Sequence, residues 1–239
     1  DAITSLDGNI LMSSTVQGIS RVAQGYVVDI TGAISRSINA DSVIVASPAR
    51  ASATLLKSLS EDVAALMSSA EHSSVVMATI KTVESDLPKL AGLSGYLVAK
   101  PDQDRVTAAS FGSNKWSHWK PSDGTMILRV SLGRDGAPTH DLIHEWDDER
   151  IVRQVIDEVS RHTHTSITPD TFRVTRWPEA FPQYRPGHIN YVEAVESSLM
   201  RHAPGVFVAG ASWRGIGIPA CVAQGEKTAQ TTADFLSHL

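Results

Sequence analysis

Gly205-Val-Phe-Val-Ala-Gly-Ala-Ser-Trp-Arg-Gly-Ile-Gly-Ile-Pro-Ala-Cys-Val-Ala-Gln-Gly-Glu-Lys-Thr-Ala229 reads as a strand, a glycine-rich turn and a helix. Val206 to Ala209 is a short apolar strand, and Gly210, Gly215 and Gly217 let the backbone approach another group closely. The helix expected from about Ile218 directs its unpaired amides and positive dipole end at the same spot. The element therefore suits a ligand seat, although such a turn also serves as a tight connection. Upstream, Asp41 to Ala46 is a continuous apolar run of the kind a buried strand shows, and Gly25 to Ile30 alternates as a strand. The stretch 31–39 is turn-rich. Ser47-Pro48 opens a helical stretch whose apolar residues Leu55, Leu56, Leu59, Val63, Leu66 and Met67 are interrupted at Ser58-Leu59-Ser60.

The middle of the chain predicts a mostly antiparallel sheet over Ser74–Ile80, Gly95–Ala99, Val106–Phe111 and Met126–Leu132, with Pro101-Asp102 and Ser122-Asp123-Gly124 as breaks, and Thr171–Trp177 reads as a later strand. Asp147 and Asp148 precede Ile151, Val152, Val155, Ile156 and Val159, one apolar helix face with acids in its first turn. A further helix is expected over about Asn190–His202.

A length of 239 residues with 42% hydrophobic and 20% charged residues is that of an ordinary globular protein. No apolar run approaches the roughly 20 residues a spanning helix needs. A net charge of −5 without a concentrated basic face argues against nucleic-acid binding. The single cysteine, Cys221, excludes an internal disulfide and suits a reducing compartment; on composition it reads as a small buried residue. Asp1-Ala2 opens without an initiator Met or signal-peptide order.

Residues 210–225 resemble the C-terminal signature Gly-Ala-Ser-x-x-Gly-x-Gly-Ile-Pro-x-Cys-x-x-x-Gly of the flavoprotein family of protoporphyrinogen and coproporphyrinogen oxidases, relatives of the monoamine-oxidase-like flavin enzymes. Arg176-Trp177-Pro-Glu-Ala-Phe-Pro182-Gln183-Tyr184 followed by Gly187-His188 is similar to the family's Arg-Trp-x-x-x-x-Pro-Gln-Tyr-x-x-Gly-His, and Ala40 to Pro48 to its Ala-Asp-x-Val-Ile-x-x-x-Pro. The resemblance implies an α/β (α+β) fold: part of a Rossmann-like FAD-binding domain, residues 1–49 and 175–239, with a mostly antiparallel substrate-binding domain, residues 50–174. The family's opening G-x-G-x-x-G fingerprint is absent from these residues, so a C-terminal portion that does not hold FAD alone is expected.

The same resemblance implies site residues. Ile216, Gly217 and Ile218 would bring backbone amides to the pyrimidine edge of the flavin, with Gly210, Ser212 and Gly215 in the same turn, and Trp177 would lie against the ring. Val16 matches a strand residue beside the adenine portion. Tyr96, Leu97, Lys115 and Arg129 match the substrate strands, apolar contacts for a flat tetrapyrrole and cations for its propionates. On residue type alone Trp177 reads as a core aromatic, Val16 as a strand valine, and Lys115 and Arg129 as solvated or paired charges. His188 reads as a proton relay or as a capping or surface residue. The implied reaction is oxidation of a porphyrinogen by O2, giving H2O2, in haem biosynthesis, with haem-pathway enzymes as candidate partners. The expected location is cytoplasmic, with peripheral membrane contact left open. No catalytic base stands out. Another amine-oxidase-group flavin enzyme and a non-catalytic fragment are the alternatives.

Two other patterns fail on spacing. His140 and His144 stand four apart without a third ligand, so no metal site is expected. Gly210-Ala-Ser-Trp-Arg-Gly215 has one residue too many for a nucleophile elbow and no later Asp and His in reach.

Overall fold

The computed structural model describes residues 3–33 and 35–239; Asp1 and Ala2, and Ile34 within the turn-rich stretch, lie outside the described residues. In chain order the strands are β1 (Ser14–Arg21), β2 (Tyr26–Gly32), β3 (Arg36–Ala40), β4 (Val43–Val45), β5 (His72–Val83), β6 (Gly95–Leu97), β7 (Val106–Phe111), β8 (Thr125–Leu132), β9 (Pro169–Pro182) and β10 (Val206–Val208). The helices are α1 (Ala49–Leu56), α2 (Glu61–Ser68), α3 (Gly112–Lys115), α4 (His140–His144), α5 (Asp148–Thr163), α6 (His188–His202) and α7 (Ile218–Leu236). The chain divides into two compact units: the residues up to Glu71 with Tyr184–Leu239, and His72–Gln183.

These divisions fall later than the sequence boundaries of 49/50 and 174/175. In the first unit α1 and α2 share a core with α6 and β10, through Ala53, Leu56, Val63, Met67, Val195 and Val206. In the second, β9 stays laddered to β5 as far as Pro182. Both shifts follow from burial, which sequence spacing alone does not assign to one core or another.

The first unit holds an antiparallel meander, β1-β2-β3, and a parallel pair in which Val43–Val45 faces Val206–Val208. One expectation fails here: the turn-rich stretch contains a strand, since Arg36–Ala40 pairs with Tyr26–Ile30. Its polar residues suit an edge strand whose side chains stay largely in water. The helix expected after Pro48 is two helices. Ser60 starts the second: its side chain accepts from Val63 N at 3.3 Å, and Glu61 and Asp62 complement the dipole in the first turn.

The second unit is a five-stranded sheet, order β6-β7-β8-β5-β9, with every ladder antiparallel. Residues of period two line one face: Val76, Ala78 and Ile80 on β5, Leu128, Val130 and Leu132 on β8. They pack against Ile151, Val152, Val155 and Val159 of α5 in one core. The Asp147 side chain caps α5, accepting from Arg150 N at 2.7 Å. Glu158, fully buried on that helix, accepts from Val106 N at 2.9 Å and Gln154 Nε2 at 2.8 Å, so its carboxylate anchors the start of β7. The helix covers one face and leaves the other open.

Candidate functional site

In the first unit β10 leads through Gly210 and Gly215 into α7, as the sequence predicts. Two glycines are required by geometry. Gly215 has φ +135°, and an added Cβ would lie 2.5 Å from Ala220 Cβ; Gly210 has φ +107°. The turn is fastened by several side chains. Tyr184 Oη donates to Ala211 O at 2.6 Å and accepts from Gly215 N at 2.9 Å. Its ring stacks on His188, with centroids 3.6 Å apart. Burial raises the Tyr184 pKa, partly offset by the Gly215 N–H that favours the phenolate.

His188 Nε2 lies 2.6 Å from Trp213 O. A carbonyl only accepts, so Nε2 is the donor in this contact and His188 clamps the turn. Ser212 is buried, and its Oγ accepts from Ala49 N at 3.0 Å, which caps the start of α1. Gln224, unremarked in the sequence, reaches back from α7 to accept from Gly210 N at 3.1 Å. A polar residue one helical turn or more past a glycine-rich loop was the available signal. Cys221 is half-buried, not a core residue, with Sγ 3.4 Å from Gly215 O.

The helix start itself is open. The N–H groups of Gly217, Ile218 and Ala220 find no acceptor among the described residues. Beside Gly217 an added Cβ would meet nothing nearer than Pro219 Cδ at 3.9 Å. Ile216, Ile218 and Val222 are exposed around it, an apolar rim to a set of free donors. Val16 lies elsewhere in this unit, on β1 next to the bulge between Val16 and Gly18, and pairs with Ile30.

In the second unit the four substrate-strand residues come together. Tyr96, Leu97, Lys115 and Arg129 all border one cavity of about 460 Å³ on the open side of the sheet, with Trp116 and Trp119. Leu97 is 85% exposed, whereas the Tyr96 phenol points toward α5 and lies 3.1 Å from His162 Nδ1. Burial, then the nearby Glu158 charge, pushes the Tyr96 pKa up to about 12. Lys115 Nζ sits 5.9 Å from the Trp116 ring centroid and the Arg129 guanidinium 5.6 Å from that of Trp119. Among the described residues neither has a carboxylate partner, and no Asp or Glu lines the cavity. Trp177, also in this unit, is 52% exposed and no core aromatic. No group of residues among those described could hold a metal ion.

The family model described as flavin containing amine oxidoreductase matches residues 1–232. The chain belongs to this family. Among curated relatives, coproporphyrinogen III oxidase of Bacillus subtilis (strain 168) is 26% identical over 230 residues, covering 96% of this chain and 47% of the relative. Coproporphyrinogen III oxidase of Mycobacterium leprae (strain TN) is 32% identical over 213 residues, 88% of this chain and 44% of the relative. Cyclohexylamine oxidase from Brevibacterium oxydans IH-35A, a solved structure, superposes with a TM-score of 0.66 at 19% identity over 93% of this chain and 48% of its own, which shows the shared fold. The chain thus spans just under half the length of the curated relatives it matches. The mixed α/β architecture is that of the family, whose flavin fits the open donors and apolar rim at the start of α7. No helix among the described residues is long and apolar enough to cross a membrane.

Proposed function

We propose that this flavin containing amine oxidoreductase chain is the larger part of the substrate-reading apparatus of an FAD-dependent porphyrinogen oxidase, acting on coproporphyrinogen III or protoporphyrinogen IX in haem biosynthesis. When bound, the flavin supplies hydride acceptance from a ring carbon and passes the electrons to O2, giving H2O2. The residues that would hold it are Ile216, Gly217 and Ile218 through their backbone, Gly210 and Gly215 through the turn they permit, Trp177 through its flat indole and Val16 through its strand. Ser212 contributes by capping α1 and so fixing the turn. Amides aimed at the ring's electron-rich edge stabilise charge without reorganising.

The observation that carries the reading is the cavity bordered by Leu97, Trp116, Trp119, Lys115 and Arg129, with Tyr96 turning its phenol to the other face: two cations and exposed aromatic and aliphatic surface with no acid in the lining. Such a surface suits a flat apolar ring bearing carboxylates and opposes a cationic amine, because an unscreened ammonium would meet only like charge there. Leu97 offers the apolar contact; Lys115 and Arg129 face the propionates. A cytoplasmic location, with peripheral membrane contact and haem-pathway enzymes as candidate associations, is part of the proposal. The test is kcat/KM of Lys115→Ala and Arg129→Ala in the full-length enzyme on both porphyrinogens. A larger loss on the four-carboxylate substrate than on the two-carboxylate one is expected; equal losses remove both residues from carboxylate reading.

A further inference from the structure

The open face of the five-stranded sheet carries a second arginine that the sequence did not single out. Arg173 on β9 is in register with Thr79 on β5, and Thr79 is in register on its other side with Arg129 on β8. The two arginines therefore lie in one row, two strands apart, about 10 Å between Cα atoms at the usual strand spacing. Alternation puts both on the face opposite Ile80 and Leu128, which are in the core. Both border a shallow depression of about 370 Å³ that shares Met77, Trp119 and Arg129 with the cavity already described. The two depressions form one trough.

Among the described residues Arg173, like Arg129, meets no carboxylate, and no Asp or Glu lines either depression. Among the described residues Arg105, Arg161, Arg176, Arg185 and Arg214, by contrast, each pair with an acid. Arg129 rests near the Trp119 ring, but two guanidiniums in one row with no acid lining the trough repel each other. They are matched by a ligand that brings two negative charges across the same span. Arginine's planar fork takes a carboxylate oxygen pair directly.

We infer that Arg129 and Arg173 form a two-point seat for two carboxylates of a single flat polycarboxylate, whose apolar body lies over Trp119. This rests on the porphyrinogen reading of the same face and goes beyond it by assigning Arg173 and by fixing which two cations act together.

The experiment uses the full-length protein and measures binding of three porphyrins by tryptophan fluorescence quenching: coproporphyrin III with four carboxylates, protoporphyrin IX with two, and coproporphyrin tetramethyl ester with none. Arg173→Gln and Arg129→Gln are each expected to weaken coproporphyrin binding about tenfold, the scale of one charge-assisted contact. Arg173→Lys should recover part of the loss, the double variant should bind coproporphyrin no better than its ester, and the ester should bind all variants alike. Arg153→Gln, on exposed α5 surface, should match wild type. Arg173→Gln within twofold of wild type while Arg129→Gln is weakened overturns the two-point seat alone. Equal loss for the ester also overturns it. If wild type binds none of the three, the porphyrin reading fails, and the seat as stated fails with it.

Discussion

Replacing Tyr184 with Phe removes a hydroxyl that makes two hydrogen bonds at the turn, to Ala211 O and from Gly215 N, while leaving the ring stack on His188 in place. Each neutral bond contributes about 0.5–1.5 kcal/mol net. Tyr184 is 37% exposed, so water takes over part of what is lost. The expected destabilisation is about 1–2 kcal/mol. With an m-value of about 2 kcal/mol/M in urea, the midpoint should fall by about 0.5–1 M at unchanged m. Because Gly215 is one residue from Ile216, the freed turn should also retain flavin less well in the full-length enzyme. The pH dependence follows the sign of the shift: the folded-state pKa is raised, so the contribution is complete below the ordinary value of 10 and is lost as pH rises through the higher folded value. A tyrosinate cannot donate to Ala211 O. Unfolding midpoints and flavin content of wild type and Tyr184→Phe that coincide at pH 7 would refute this account of how the turn is held.

Further outcomes follow from the same geometry. Ser212→Ala should cost about 1 kcal/mol, measured by urea unfolding, because the first amide of α1 loses its buried acceptor. Gly217→Val should fold like wild type, since nothing of the protein lies close to the added Cβ, yet lose bound flavin, read as the visible absorbance that survives gel filtration. Gly136→Val, at φ +73°, should lose stability but keep flavin. Leu97→Ala should leave stability unchanged, as the side chain is exposed, and reduce kcat/KM on a porphyrinogen by about 1–3 kcal/mol of transition-state stabilisation. Alkaline unfolding should steepen from pH 10 toward about 12, where the half-buried Tyr96 and Tyr191 must ionise.

The strand, turn and helix around Gly210–Ile218 were legible because positive-φ glycines and a helix-starting proline are local constraints. So was the face of α5, whose apolar spacing is regular. The Tyr184 bridge was not, since its two partners stand 27 and 31 residues away in sequence and only the fold brings them together. β3 was missed because an exposed edge strand lacks the apolar alternation that marks a strand. Arg173 was missed for a related reason: its meaning lies in the cross-strand register with Thr79 and Arg129, which no single segment encodes. The resemblance of the substrate strands pointed to Lys115 and Arg129 as candidates, but their lack of acidic partners among the described residues is a property of the folded face.

The most direct test of the central claim is turnover by the full-length, flavin-loaded protein of coproporphyrinogen III, followed as porphyrin fluorescence together with O2 uptake, beside a primary aliphatic amine under the same conditions. Porphyrin should appear in step with O2 consumption, while the amine, met by Lys115, Arg129 and Arg173, is left unoxidised. Amine oxidation without porphyrin formation from either coproporphyrinogen III or protoporphyrinogen IX would contradict the account.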